Sequence, residues 1–155
     1  MKLRDLIKKS TETISQNYPE REAREMVLAY LCHTLGIQRH THIIEPSFEV
    51  PSDRIEEIMS AVDRMAAGEP LQYIIGEASF YGRTFHVTPS VLIPRPETEL
   101  LCRLALGSLF AREGAKMPFS HSLHASEVSL SNNNYFKILD LCTGSGCIAW
   151  TMALE

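Results

Sequence analysis

The segment FKILDLCTGSGCIAWTMALE, residues 136–155, limits the fold more than any other stretch of the chain. FKILDL reads as a buried strand, Gly144 and Gly146 follow in a short turn, and CIAWTMALE is apolar enough to be a packed helix. Glycine suits such a turn because it takes backbone angles that a Cβ penalises and lets a ligand approach the main chain. A turn between the C-terminal end of a strand and the N-terminal end of a helix is where α/β folds hold nucleotide-like ligands. Spacing leaves the ligand class open. Gly144, Gly146 and Ala149 satisfy the G-x-G-x-x-A pattern of dinucleotide binders, yet a lone G-x-G is as often an ordinary loop. Asp140, four positions before Gly144, adds a carboxylate at the strand end. An acid there favours a cationic ligand and offers a pyrophosphate nothing; its plainer alternative is a helix cap or a hydrogen-bonded turn acid.

Upstream, the pattern is helical. Leu3, Leu6, Ile7 and Ile14 share one helical face within residues 3–16. Pro19 stands where a helix can begin, with Glu20 and Glu22 in a first turn whose dipole favours negative charge. Ala23, Met26, Val27, Tyr30, Leu31 and Leu35 then recur at helical spacing until Gly36. A third helix is expected from Ser52 or Asp53, with Glu56 as a capping-box partner of Asp53 and a stripe of Ile55, Ile58, Met59, Val62 and Met65 closed by Gly68. Three amphipathic helices in the first 75 residues predict a small bundle. EASFYGRTFHVT, residues 77–88, predicts a β-hairpin turning around Gly82 and Arg83. Pro89, Pro94 and Pro96 hold the next stretch extended. Pro96 opens a helix with Glu97 and Glu99 in its first turn and Leu100, Leu101, Leu104 and Leu109 on its apolar side. Residues 111–134, rich in Ser, His and Asn, lack periodicity and read as a loop insert. The expected organisation is α+β: a helical domain at 1–75, a hairpin linker at 76–95, and an incomplete α/β domain at 96–155.

A chain of 155 residues that is 45% hydrophobic and 22% charged buries a core rather than staying disordered. Its net charge of −4 leaves no excess of cations to displace phosphate counterions, so direct nucleic-acid binding is not expected. Phe80, Tyr81 and Phe85 therefore read as packing aromatics rather than base-stacking ones. No stretch has the roughly 20 apolar residues that span a bilayer, and MKLRDLIKKS is charged throughout, unlike a signal peptide. Cys32, Cys102, Cys142 and Cys147 form no CxxC pair and are expected to be free thiols in a reducing cytoplasm. His40 with His42, and His121 with His124, lack the third and fourth ligands of a zinc site, so no metal is expected. Met26, Met59 and Met65 are expected in the core.

The D-x-x-x-G-x-G string from Asp140 to Gly146 resembles the first motif of class I (Rossmann-like) methyltransferases. Taken with GEPLQYIIGEASFYGRTFHVTPSVLIPRPETEL upstream, in that order along the chain, it closely resembles the release-factor glutamine N5-methyltransferase family. Ribosomal-protein glutamine methyltransferases share the architecture but are not expected to keep the P-R-P-E-T-E segment. The resemblance implies S-adenosylmethionine as methyl donor and a release-factor glutamine amide as acceptor, a role in translation termination. It implies that Cys142, Thr143, Gly144, Ser145 and Gly146 form the cofactor loop, with Glu97 and Thr98 beside the cofactor. Cys142 departs from the pattern, since the family usually has Gly there, and costs the loop some backbone freedom.

The resemblance also implies an Asn-Pro-Pro-Tyr motif whose Asn side chain and Pro carbonyl grip the acceptor amide. An amide nitrogen is a poor nucleophile and has to be held in line. That string does not occur in the 155 residues, the nearest being NYPE at Asn17 and NNNY at Asn132. The acid expected about 20 positions after the glycine turn, for the ribose hydroxyls, would lie beyond Glu155. One strand cannot form an open sheet. The expectation is a truncated product, a partial record or a fragment that lacks the catalytic motif, with no catalytic residue named in it. A nucleic-acid adenine methyltransferase and a non-enzymatic protein-binding module are the two alternatives.

Overall fold

The computed structural model describes residues 1–112, 138–141 and 143–155. These divide into two compact units, Met1–Glu77 and Ala78–Glu155.

The first unit is helical. Helices α1 (Leu3–Ile14), α2 (Glu20–Leu35) and α4 (Ser52–Ala66) pack around one core, joined by the short helices α3 (Thr41–Ile44) and α5 (Leu71–Ile75). The expected stripes are the buried ones: Leu3, Leu6, Ile7 and Ile14 meet Ala23, Val27, Tyr30 and Leu31, with Ile58, Val62 and Met65 from α4. Met26 and Met59 are partly buried against the same core. The two short helices have too few residues for a periodicity to register, although Pro70 and Gly76 punctuate α5 as Pro19 and Gly36 punctuate α2. The capping box expected at Asp53 does not form. Pro51 is the N-cap of α4, with no side-chain cap bond, so Asp53 already lies inside the first turn, past the position from which it could cap. At α1 the start is held from a distance: the Leu3 N–H donates to the Phe48 carbonyl at 3.0 Å, and the Val50 N–H to that of Met1 at 2.9 Å.

The end of α4 has a specific closure. Gly68 N–H bonds the Met65 carbonyl at 3.0 Å and Glu69 N–H the Arg64 carbonyl at 3.1 Å, the paired pattern of a Schellman motif. Gly68 supplies the left-handed residue this needs, at φ +92°. Arg64 and Glu69 then close over the turn as a two-pronged ion pair, Nε to Oε2 at 2.7 Å and Nη2 to Oε1 at 2.5 Å. Gly68→Ala is expected to cost about 1–2 kcal/mol, the price of a Cβ in the left-handed region, read by urea denaturation followed by circular dichroism. The hydrogen bond from Arg64 holds the Glu69 carboxyl below its ordinary range. That contribution is present above the unfolded carboxyl pKa and fades as pH falls through the lowered folded value. Glu69→Gln should therefore flatten stability across the acidic range and leave its shape near neutrality unchanged.

The second unit begins with a hairpin. Strands β1 (Glu77–Phe80) and β2 (Arg83–His86) form a two-stranded sheet. The turn is Tyr81–Gly82, one residue earlier than expected, and Arg83 already belongs to β2. Both turn residues have positive φ, 50° and 72°, as the tight turn that matches strand twist requires. Phe80 is fully buried and meets Phe85 edge-on, ring centroids 6.1 Å apart. Helices α6 (Pro96–Arg112) and α7 (Cys147–Leu154) complete the unit, with Cys102 and Cys147 packed into the Phe80 cluster.

Two expectations are corrected in this unit. Leu100, Leu101 and Leu104 lie exposed, while Cys102 and Leu106 face inward. The helix carries apolar residues all round, so composition does not single out a buried side. Leu109 lies outside the described side chains, and most of the predicted 111–134 insert outside the described residues, although α6 itself runs to Arg112. The expected strand is also absent over its described part: Ile138–Leu141 forms no ladder, and Leu139 and Leu141 are 81% and 74% exposed. A strand exists through its pairing, and among the described residues none pairs with this one.

Candidate functional site

The glycine turn is open. Thr143 and Gly144 are exposed, Ser145 and Gly146 half-buried. Gly144 and Gly146 both adopt left-handed backbone, φ +54° and +75°, which is the freedom their residue type supplies. The turn is closed by the Gly146 N–H donating to the Thr143 carbonyl at 2.8 Å, and Gly146 is also the N-cap of α7, whose Trp150 N–H reaches its carbonyl at 2.9 Å. A Cβ at Gly144 would meet nothing within 4 Å, whereas one at Gly146 would sit 3.3 Å from Cδ1 of Trp150. Asp140 is braced across the turn: Thr143 Oγ1 donates to its Oδ2 at 2.7 Å. Four of the five expected loop residues thus lie in one exposed turn, with a carboxylate tied to it. Cys142 lies outside the described residues.

The turn combines an open backbone, a helix start that favours negative charge and one carboxylate that favours positive charge. Backbone without Cβ atoms allows close approach, the start of α7 presents N–H groups, and Asp140 supplies one negative charge. Thr143→Val should free the Asp140 carboxylate from its one hydrogen-bond partner among the described residues without disturbing the backbone closure. The expected signature is a change in Asp140 carboxyl chemical shift by NMR with the α7 amide resonances in place.

At the other motif, Glu97 is exposed and Thr98 half-buried at the start of α6. The acid of P-R-P-E-T-E with a resolved job is Glu99. Its Oε1 accepts the Tyr81 N–H at 2.8 Å and its Oε2 lies 3.5 Å from Arg103, whose guanidinium sits 5.7 Å from the centre of the Tyr81 ring. Glu99 therefore fastens the left-handed Tyr81 of the hairpin turn onto α6. Arg83 of β2 likewise reaches Glu155 beyond α7, at 2.7 Å. Neither link is readable from spacing, since the partners stand 18 and 72 positions apart. Cys32, Cys102 and Cys147 are free thiols, and burial pushes the Cys102 thiol above its ordinary range. Among the described residues no three His, Cys, Asp or Glu side chains come together as a metal site, and no helix is long and apolar enough to cross a membrane. His42 is hydrogen-bonded with Arg24 at 3.3 Å; His121 and His124 lie outside the described residues.

The sequence is similar to known proteins along most or all of its length. Residues 5–76 match the family described as the PrmC N-terminal domain, which sets the class of the helical unit. Along most of its length the chain is similar to proteins named release factor glutamine methyltransferase. It is 38% identical over 149 residues to the release factor glutamine methyltransferase of Thermodesulfovibrio yellowstonii, covering 96% of this chain and 44% of that protein. With the proteins of the same name from Nitratidesulfovibrio vulgaris and Bacillus cereus it shares 40% identity over 125 residues and 31% over 155, covering 35% and 47% of them. The chain thus spans less than half the length of these curated relatives.

Proposed function

We propose that the chain is part of an S-adenosylmethionine-dependent methyltransferase that modifies the side-chain amide nitrogen of a glutamine in translation release factors, in the cytoplasm. The open turn carries this reading: two left-handed glycines at the head of a helix, with Asp140 braced beside them. When bound, S-adenosylmethionine supplies an electrophilic methyl on a cationic sulfonium. Thr143, Gly144, Ser145 and Gly146, with Cys142, would line the loop that holds it, and Glu97 and Thr98 would lie near it. Asp140 balances positive charge, and Thr143 keeps that carboxylate aimed along the turn. Residues 1–75 recognise the protein substrate, residues 76–95 link the domains, and residues 96–155 open the methyltransferase domain.

Two measurements test the reading. Calorimetry of the chain with S-adenosylmethionine should show saturable binding; a folded chain that gives no heat would instead be a protein-binding module. A full-length protein carrying these 155 residues should methylate a purified release factor. Transfer to DNA adenine in its place would overturn the assignment.

A further inference from the structure

The first unit carries a groove of about 790 Å³ between α1, the N-terminal turn of α2 and α3. One lip is cationic, from Arg4 and Lys8 on α1 and Arg24 on α2; the other is apolar, with Ile43 of α3 64% exposed. An isoleucine this exposed on a short helix is not explained by packing within the unit. The charges are unevenly matched. Lys8 and Glu12 answer each other at 4.0 Å, but Arg4 has no carboxylate among the described residues, and Arg24 faces the His42 imidazole. Burial, and then the Arg24 charge, hold that imidazole below its ordinary range, and Arg24 has no carboxylate within ion-pair distance among the described residues. Thr11 of α1 and Ser15 at its C-cap line the same groove with hydroxyls that have no hydrogen-bond partner among the described residues; Thr11 is only 6% exposed. Buried polar atoms are rarely left so, because an unmade hydrogen bond forfeits the solvation lost on burial.

We infer that this groove docks an extended segment of the protein substrate in which an acidic side chain stands beside an apolar one. The carboxylate meets Arg4 and Arg24, and the apolar side chain covers Ile43. Glu12 and Glu20, also on the groove, disfavour a polyphosphate backbone, and the chain's net charge of −4 does the same. This deepens the proposed substrate recognition by residues 1–75 and rests on it.

The test uses the full chain and a purified release factor, with affinity read by calorimetry. Arg4→Glu with Arg24→Glu should weaken binding at least ~tenfold, as reversal of two paired charges at an interface does. Ile43→Asp, at an exposed position that leaves the fold intact, should weaken it independently. Lys9→Glu with Arg21→Glu, an equal charge change outside the groove, should not. Equal losses in both double variants would reduce the effect to long-range charge and overturn the groove. Undiminished binding by the groove variants overturns it too, while leaving release-factor recognition standing elsewhere on the unit. Failure of the unaltered chain to bind any release factor overturns the recognition and the groove together.

Discussion

Substituting alanine at Gly144 or Gly146 is expected to weaken S-adenosylmethionine binding about five- to thirtyfold at each position, and valine at either to abolish it. The reason is conformational. Both residues sit in left-handed backbone, φ +54° and +75°, where a Cβ costs about 1–2 kcal/mol, the equivalent of that fold-change. A β-branched side chain is a true outlier there. The two sites differ in surroundings: a Cβ at Gly144 enters open space, while one at Gly146 presses on Trp150 at 3.3 Å. Trp150 is 60% exposed and can yield, so Gly146→Ala should lose somewhat more than Gly144→Ala and should also shift the tryptophan fluorescence. Calorimetric titration of each variant against the unaltered chain decides it. Full affinity in both valine variants would show that the turn does not hold the cofactor.

Leu6→Ala is expected to destabilise the helical unit by about 2–5 kcal/mol, the range for emptying a well-packed leucine site. Leu6 is fully buried where α1 joins the bundle core. The same truncation at Leu100 or Leu104 of α6 should change the stability of this chain by less than about 0.5 kcal/mol, because those side chains are more than half exposed. Denaturant midpoints of the three variants provide the comparison. A large loss at Leu100 would mean that the inward face of α6 is not the Cys102 and Leu106 side.

The contrast between Leu6 and Leu100 also separates what can be read from residue order from what cannot. In α1, α2 and α4 apolar and polar residues alternate at helical spacing, so the buried face is written in each helix and emerged in the core. In α6 apolar residues surround the axis, and packing into one cluster with Phe80 and Cys147 of α7 turned Cys102 inward. The hairpin was legible because Tyr81–Gly82 sits between two β-prone runs; that Glu99 holds its turn was not, because nothing local to Glu99 points to a backbone N–H 18 residues away. The glycine turn was legible as a turn, while the strand leading into it was not realised over Ile138–Leu141, where pairing is a matter of neighbours rather than composition. The docking groove had no signal at all, as its lips come from three helices.

Residue order by itself determined where the long helices run, where glycine and proline interrupt them, and which turn is free to face a ligand. Each of these is settled within a few residues by steric limits on the backbone and by the repeat of the helix. Tertiary structure alone decided which side of α6 turns inward, how Phe48 completes the start of α1, and how Arg4 and Arg24 come to share one lip of a groove. Those outcomes depend on groups distant in the chain, and a short-range pattern carries no record of what folding will bring beside it.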